Sequence, residues 1–311
     1  MVGDVEPITR RAMLSLAGVT LVWGASFLVM KEGADVLRRV SGGEFPHAPL
    51  CYLMLRFGLA FPAGLLMFRV DPRKILLSDW RRGALLALPM IAGFVLQLYG
   101  LENTSPAISA FLTSLYVVFT PLLVLVIQRT RMELRLGVGV GLALVGVALL
   151  TRPWNGSLGA GEVFSILCAF FFAVHILAID HLTREGREVE ITLAMIGVTA
   201  FLIAIPLPFL AGTELLTDTG FWWEVFRDPW IWAGLTGLSL LGTVWVLWAL
   251  NRYQKALSPT RAAVLYTLEP LWALVFSAMA GRESLDIWFV CGGLTILAGN
   301  MWIEVRPRAP G

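Results

Sequence analysis

Charged residues are scarce in this sequence. Asp, Glu, Lys and Arg together make up 15% of its 311 residues, whereas hydrophobic residues make up 57%. A soluble domain carries roughly 25% charged residues, so this composition excludes an ordinary soluble domain. The apolar residues fall in continuous runs near the ~20 residues that a helix needs to cross a bilayer. Alternating segments of ~10 residues, which a membrane β-barrel requires, are not seen. The sequence therefore predicts an all-α integral membrane protein.

Cysteine and histidine are also rare, with three of each. Cys51, Cys168 and Cys291 lie in or beside apolar runs without metal-type spacing, which indicates buried thiols rather than a disulfide or a metal set. The sequence shows no H-E-x-x-H, C-x-x-C or G-x-S-x-G pattern, so an enzyme is disfavoured. We expect no catalytic residue, no metal and no cofactor. The net charge of +2 gives no indication of nucleic-acid binding, and we expect no nucleic-acid partner.

What the sequence does contain is an internal repeat. The stretches 105–133 and 258–283 both begin with Ser-Pro and continue through small residues, an aromatic cluster, an internal proline and an apolar run to a glutamate. The two prolines, Pro121 and Pro270, lie 149 positions apart, and the same offset relates Trp23 to Phe172. Such self-similarity indicates one unit written twice.

Ten apolar spans are predicted along the chain, five in each copy. They cover about 12–30, 50–68, 83–100, 105–127, 136–151, 161–182, 190–211, 230–250, 258–280 and 286–305. An odd number of spans per copy makes the second copy enter the membrane from the opposite side, which is the plan of many secondary transporters. The predicted fold is therefore ten transmembrane helices as two inverted five-helix repeats. A Pro/Gly/Asn-rich link places the repeats at 1–152 and 153–311.

Lysine and arginine are unevenly shared between the connections. With the N-terminus in the cytoplasm, the inner segments hold sixteen of them and the outer segments six. Cytoplasmic connections carry the excess of these residues, so we expect a multi-pass protein of the plasma (inner) membrane with both termini cytoplasmic. Two long outer connections, 31–49 and 213–229, are expected. The second is rich in Trp and Phe, which favours an interfacial helix.

Polar side chains at depth are the first candidates for a site, because a charge near mid-bilayer costs on the order of 3 kcal/mol unless it is paired or hydrated. Glu269 is the deepest carboxylate, and it could bind a substrate amine, carry a coupling proton or pair with a buried cation. His175 lies midway along the sixth span and could relay a proton or bond a ligand. A satisfied bond between helices is the alternative interpretation of His175. By the repeat offset, it corresponds to Ser26.

Aromatic residues away from the span ends complete the predicted site. An apolar, aromatic-lined pocket with few polar groups is what a small organic ligand needs. The predicted cavity residues are Trp23, Ser26, Gln97, Tyr99, Tyr116, His175, Trp245, Tyr266 and Glu269.

The repeated prolines suggest a moving part. Pro121 and Pro270 each remove a backbone hydrogen bond and bend their helix. At equivalent positions of two inverted copies, they are predicted to be gate hinges, with a fixed packing bend as the alternative. An unchanged transport rate in Pro270→Ala would exclude the hinge. The glycines of the fifth and tenth spans instead favour close and static packing of those two helices.

Four segments carry a resemblance to a known family. They are WGASFLVMK at Trp23–Lys31, LRFGLAF at Leu55–Phe61, NTSPAISAFLTSLYVVFTPLL at Asn103–Leu123 and LYTLEPLWALVFSAMAGRES at Leu265–Ser284. Together with the glycine-spaced last helix of each half, they resemble the drug/metabolite transporter superfamily, in its ten-span branch with EamA-type repeats. The resemblance implies an inner-membrane exporter of small metabolites, often amino acids or related compounds, that works by alternating access.

The sixth span departs from the family pattern, and the departures bear on the cargo. Phe172 and His175 stand where an aromatic-Ala pair and a small residue are more usual. The expected partners are a small-molecule substrate, the lipid bilayer and, as a candidate coupling ion, the proton. One alternative is a carrier of phosphorylated or nucleotide-sugar-type cargo, which should have basic residues in its cavity. Another is a membrane sensor that does not transport.

Overall fold

The described chain consists of helices and their connections. The computed structural model describes residues 7–43, 45–129, 134–152, 158–183, 187–211, 216–254, 266, 268–283 and 285–304. Within those ranges every regular element is helical, which confirms the predicted all-α class. The first-half helices are α1 Pro7–Val40, α2 Ala48–Phe68, α3 Leu77–Asn103, α4 Pro106–Thr113, α5 Tyr116–Gln128 and α6 Leu134–Thr151.

The second half repeats this order with more interruptions. Its first helices are α7 Ala160–Leu182, α8 Glu188–Ala204, α9 Leu207–Ala211, α10 Thr219–Val225 and α11 Pro229–Trp232. A π-helical stretch, Ala233–Trp245, then runs into α12 Val246–Tyr253, followed by α13 Leu268–Met279 and α14 Ile287–Glu304. The helix α10 falls within the Trp-rich connection where a short helix is predicted.

Eight of the described helical segments are long and apolar enough to cross a membrane. They match the first eight predicted spans, and the segment Pro106–Ile127 combines α4 and α5. Two shorter apolar helices, Leu268–Met279 and Ile287–Trp302, fall where the ninth and tenth spans are predicted. The start of the predicted ninth span, 258–265, lies outside the described residues. A multi-pass helical membrane protein is therefore confirmed, and the total of ten crossings stays a prediction.

The first helix is longer than the sequence pattern predicts. The connection expected at 31–49 is largely helical, because α1 continues to Val40. This extension carries Lys31, Glu32, Arg38 and Arg39, and each of these side chains has a hydrogen-bonding or ion-pair partner on another element. The hydropathy pattern ends where the polar residues begin, whereas the helix continues because those partners stabilise it.

Contacts between the helices repeat when the two halves are exchanged. Helix α1 of the first half packs on α13 of the second half. Its equivalent in the second half, α7, packs on α4 and α5 of the first half. Likewise α2 packs on the π-helical stretch, and its equivalent α8 packs on α3. The pairs α2–α8 and α6–α14 each join a helix to its equivalent in the other copy, so exchanging the copies leaves these two pairs unchanged. This exchange is what two copies of one five-helix unit produce, and with the predicted five crossings each the second copy would run opposite to the first.

Helices α6 and α14 pack with their backbones in contact. A Cβ atom at Gly146 would lie 2.6 Å from the backbone nitrogen of Ile296, and one at Gly292 would lie 2.6 Å from that of Leu150. Small residues allow such close approach between membrane helices. The close packing of the fifth and tenth spans is confirmed, and it lies away from the cavity described next.

Candidate functional site

A cavity of about 630 Å³ of empty space, part of it open to solvent, lies between the two halves. Its walls come from α1, α3, α4, α5 and α7, and from α12, α13 and the residue Tyr266 that precedes α13. Its lining residues are Trp23, Ser26, Phe27, Met90, Phe94, Gln97, Thr113, Tyr116, Phe172, His175, Ile176, Ile179, Leu247, Leu250, Gln254, Tyr266 and Glu269. Both repeats therefore contribute to one largely apolar and aromatic wall.

The structure brings most of the predicted site residues together here. The cavity is lined by seven of them: Trp23, Ser26, Gln97, Tyr116, His175, Tyr266 and Glu269. Whether these residues bind cargo stays a prediction, because their position alone does not show binding.

Two predicted residues, Tyr99 and Trp245, do not line this cavity. The Tyr99 hydroxyl lies 3.3 Å from Nδ1 of His47, and the Trp245 ring packs against Gly18. The reason is helix geometry, since a residue two positions from a cavity-facing one points about 200° away. Tyr99 is two positions from Gln97, and Trp245 is two positions from Leu247.

The sequence analysis missed most of the apolar lining. Met90 and Phe94 precede Gln97 at helical spacing on α3, and Phe172 and Ile179 lie three positions before and four positions after His175 on α7, with Ile176 four positions after Phe172. Residues three or four positions apart share a helix face. Extending each predicted polar residue along its own face would have found these neighbours.

Glycine at position 24 fixes where Glu269 stands. A Cβ atom there would lie 2.4 Å from Cβ of Trp272 and 2.9 Å from the carbonyl oxygen of Glu269. The absence of a side chain therefore lets the backbone of α13 touch α1. This contact holds Glu269 beside Trp23 and Ser26, which flank Gly24 on α1.

Glu269 is 4% exposed and is held by groups from both repeats. The Tyr116 hydroxyl donates a hydrogen bond to its Oε2 over 3.2 Å. The ring of Tyr116 packs edge-on against that of Tyr266, with centroids 6.3 Å apart. Tyr266 in turn donates its hydroxyl hydrogen to Oε1 of Gln254 over 3.2 Å. A carboxylate thus stands within an aromatic wall, with one hydroxyl donor already placed on it.

His175 is engaged through one ring nitrogen only. Its Nδ1 lies 3.0 Å from the carbonyl oxygen of Leu86 on α3. Because a carbonyl oxygen only accepts, Nδ1 carries the hydrogen, and in the neutral ring Nε2 is then an acceptor. That Nε2 is buried without a partner among the residues that the structure describes, and so is Oε1 of Gln97. Most buried polar groups are satisfied, so both are open positions in the site.

The two deepest basic residues of the first half are directed elsewhere. Arg56 is buried on α2 and donates to Oγ1 of Thr243 over 2.8 Å and to the Gly242 carbonyl oxygen over 3.0 Å. Its guanidinium carbon also lies 4.9 Å from the ring centroid of Phe94, which lines the cavity. Lys31 donates to the carbonyl oxygens of Leu101 and Thr104 over 2.8 and 2.7 Å. Both cations therefore join helices.

The cavity helices are tied together at the predicted outer side, where α1 ends. Glu32 pairs with Arg282 over 2.6 Å, which joins α1 to the connection after α13. Arg38 pairs with Glu102 at the end of α3. Close by, burial raises the pKa of Glu283 above its usual value. These bonds, with those of Lys31, connect α1, α3 and the α13 end across the top of the cavity.

Ion pairs at the opposite side involve a different set of helices. Arg187 binds Asp79 over 2.8 Å, which joins α8 to α3, and this hydrogen bond raises the pKa of Arg187. Arg252 lies 3.8 Å from Glu188, which joins α12 to α8. Among the residues that the structure describes there, both ion pairs have one partner on α8, beside the cavity. At this side the lining extends as far as Gln254, at the end of α12.

A repeated helical membrane unit that encloses an aromatic cavity defines the class of polytopic membrane transporters. The sequence model of the EamA-like transporter family matches this chain twice, over residues 10–152 and 159–304. The chain belongs to that family. Its membership confirms the resemblance seen in the sequence and identifies the protein as a membrane transporter embedded in the lipid bilayer.

A curated relative and a solved structure agree with this membership. A protein of Archaeoglobus fulgidus named "Uncharacterized transporter" is 24% identical over 305 residues, covering 98% of this chain and 89% of its own length. A known crystal structure superposes with a TM-score of 0.60 at 16% identity and covers 94% of this chain and 96% of the other. At that identity the structural likeness shows the fold.

Proposed function

We propose that this protein is a secondary transporter that exports small organic metabolites, such as amino acids or related aromatic compounds, by alternating access. Its halves, 1–152 and 153–311, are the two moving copies. The observation that carries the proposal is the cavity, in which Tyr116 of one copy and Glu269 of the other meet over 3.2 Å. A site between inverted repeats is where secondary transporters bind cargo.

The chemistry of the wall supports an organic cargo over a phosphorylated one. Among the lining residues that the structure describes, Glu269 is the charged one, and no Lys or Arg is present. Phosphate recognition depends on basic groups. Arg56 and Lys31 donate to other protein groups instead. A phosphorylated or nucleotide-sugar-type cargo is therefore the weaker candidate.

The two sides of the cavity support an alternating mechanism. Ion pairs and hydrogen bonds of α1 close the predicted outer side, whereas the lining reaches the end of α12 at the predicted inner side. We interpret the structure as the state that loads from the cytoplasm, with Pro121 and Pro270 as hinges toward the other state. This requires the plasma (inner) membrane and both termini in the cytoplasm. Labelling that places the termini on opposite faces would contradict it.

A transport assay on the full chain tests the proposal. Proteoliposomes that contain the purified protein are loaded with a panel of labelled amino acids and aromatic metabolites, and flux is measured with and without a pH gradient. We expect protein-dependent flux of at least one compound. Glu269→Gln should reduce that flux about tenfold or more, because it removes a charge-assisted hydrogen bond.

The same variant decides whether Glu269 carries a coupling proton. If it does, Glu269→Gln should abolish the response to the pH gradient, and a variant that keeps its full response excludes that role. The matched control is Glu224→Gln, which neutralises an exposed carboxylate on α10 that pairs with Arg227. Absence of flux for every compound, with correctly folded protein, would contradict the proposed function.

A further inference from the structure

The hydrogen-bond donors around the cavity are largely used up by the protein itself. Ser26 donates to the carbonyl oxygen of Trp23 over 2.7 Å. Tyr116 donates to Glu269, and Tyr266 donates to Gln254. Nδ1 of His175 donates to the backbone of α3. Among the described lining residues, the Trp23 indole N–H and the amide N–H groups of Gln97 and Gln254 remain as donors.

Two buried acceptors of the lining also lack a donor among the described residues. Within the described ranges, Nε2 of His175 and Oε1 of Gln97 have no hydrogen-bond partner, and the Tyr116 hydroxyl donates to one of the two Glu269 oxygens. His175 is 5% exposed and Gln97 is 3% exposed, so bulk water does not satisfy them. A buried acceptor without a donor is destabilising. These three residues stand on α7, α3 and α13, on different sides of the same cavity.

The aromatic residues beside the carboxylate add a preference for positive charge. Ring faces attract cations, and Trp23, Tyr116 and Tyr266 all belong to the wall that holds Glu269. Tyr116 presents its ring edge-on to Tyr266, at an interplanar angle of 70°, so the two rings expose differently oriented surfaces. An ammonium group placed at Glu269 would meet a carboxylate and ring surfaces together.

A carboxylate on the cargo would meet neutral donors but no cationic side chain among the described lining residues. No Lys or Arg is found among the lining residues within the described ranges, and the acceptors named above would repel a second anion. Burying a charge without a partner is strongly unfavourable. The wall thus discriminates between cargoes of the same apolar body that differ in their charged group.

We infer that the preferred cargo is an aromatic or apolar primary amine without a free carboxylate, bound with its ammonium at Glu269 and with further N–H or O–H donors on His175 and Gln97. This inference rests on the proposed function and narrows its substrate class from amino acids and related compounds to amines. It makes Glu269 the residue that selects the charge of the cargo.

Four probes with one aromatic body test this. The purified full chain is titrated by calorimetry with 2-phenylethylamine, 2-phenylethanol, phenylalanine and 3-phenylpropionate, and the same four are tested for flux in proteoliposomes. We expect the amine to bind about tenfold or more tighter than the alcohol. The zwitterion and the anion should bind more weakly than the alcohol.

Variants attribute the preference to a residue. Glu269→Gln should bring the amine and the alcohol to within about twofold of each other. His175→Phe keeps an aromatic ring and removes the acceptor, so it should weaken tyramine, which has a hydroxyl donor besides its ammonium, more than it weakens 2-phenylethylamine. The control Glu224→Gln should leave the whole ranking unchanged.

Each outcome bears on one of the two proposals. Tighter binding or faster flux of phenylalanine or 3-phenylpropionate than of 2-phenylethylamine overturns the amine preference and leaves the transport function standing. An amine preference that survives in Glu269→Gln overturns the assigned role of that carboxylate. Failure of all four probes and of the wider metabolite panel overturns the proposed function, and with it this inference.

Discussion

Single glycines determine how closely the cavity helices approach. At Gly24 the neighbouring backbone of α13 occupies the space that a side chain would need. At Gly58 on α2, by contrast, a Cβ atom would meet nothing within 4 Å. The two positions are therefore a matched pair, since both are helical glycines and only the first is in close contact.

Replacing Gly24 by alanine should destabilise the protein and disturb the site. Overpacking of a tight contact costs about 1–3 kcal/mol, and here it would push α13, and with it Glu269, away from α1. We expect a lower melting temperature in detergent together with weakened transport. Gly58→Ala should be neutral or stabilising by up to about 1 kcal/mol, because alanine favours helix over glycine. Equal behaviour of the two variants would contradict the close contact.

At the scale of helices, Arg56 links α2 to the π-helical stretch. A π-helix has a wider turn than an α-helix and leaves backbone groups displaced, often beside functional sites. Arg56 donates to the Gly242 carbonyl oxygen and to the Thr243 hydroxyl of that stretch. In return Ser239 donates to the Arg56 carbonyl oxygen over 2.8 Å. The two elements are thus joined by side chain and backbone together.

A double-mutant cycle measures this link. Arg56→Leu should lower the unfolding free energy by about 1.5–3 kcal/mol, since hydrogen bonds to a charged group are lost. Thr243→Val alone should cost less, and the double variant should cost less than the sum, with a coupling of about 1 kcal/mol. Chemical or thermal unfolding in detergent gives all three values. Additivity within about 0.5 kcal/mol would show that the pair does not act together.

For the whole molecule, the ion pair Glu32–Arg282 is the contact to break, because it joins α1 to the connection after α13 at the predicted outer side. We expect either Glu32→Arg or Arg282→Glu to open that side by like-charge repulsion. The readout is labelling of Thr113→Cys by a membrane-impermeant thiol reagent added from that side, in a background in which Cys51, Cys168 and Cys291 are replaced by alanine. Labelling should rise severalfold in each single variant.

The charge swap is the control for this experiment. Combining Glu32→Arg with Arg282→Glu restores an opposite-charge pair, so labelling should return toward its starting level. Labelling that stays high in the double variant would mean that the pair does not hold the helices together. A rise of labelling from the other side instead would contradict the assigned state.

Some features of the fold and the site can be predicted from the sequence, and others cannot, because each sequence pattern reports a different property of the chain. Hydropathy runs and the offset between Pro121 and Pro270 predict the helices and their duplication, because both are properties of the chain order. The seven polar and aromatic residues found in the cavity were chosen as unusual in a membrane span. Hydropathy does not specify which way a helix face points, and Tyr99 and Trp245 lie outside the cavity lining of the structure. The extension of α1 to Val40 depends on ion-pair partners distant in sequence, which a local pattern does not contain.

The bond between Tyr116 and Glu269 has a further consequence, because its two ends belong to different halves. A cargo that takes hold of the carboxylate must share or displace the tyrosine. Cargo binding would then weaken the hydrogen bond between the two copies, so that a transporter with bound cargo changes conformation more readily than an empty one. Selectivity and motion would be coupled at a single oxygen atom.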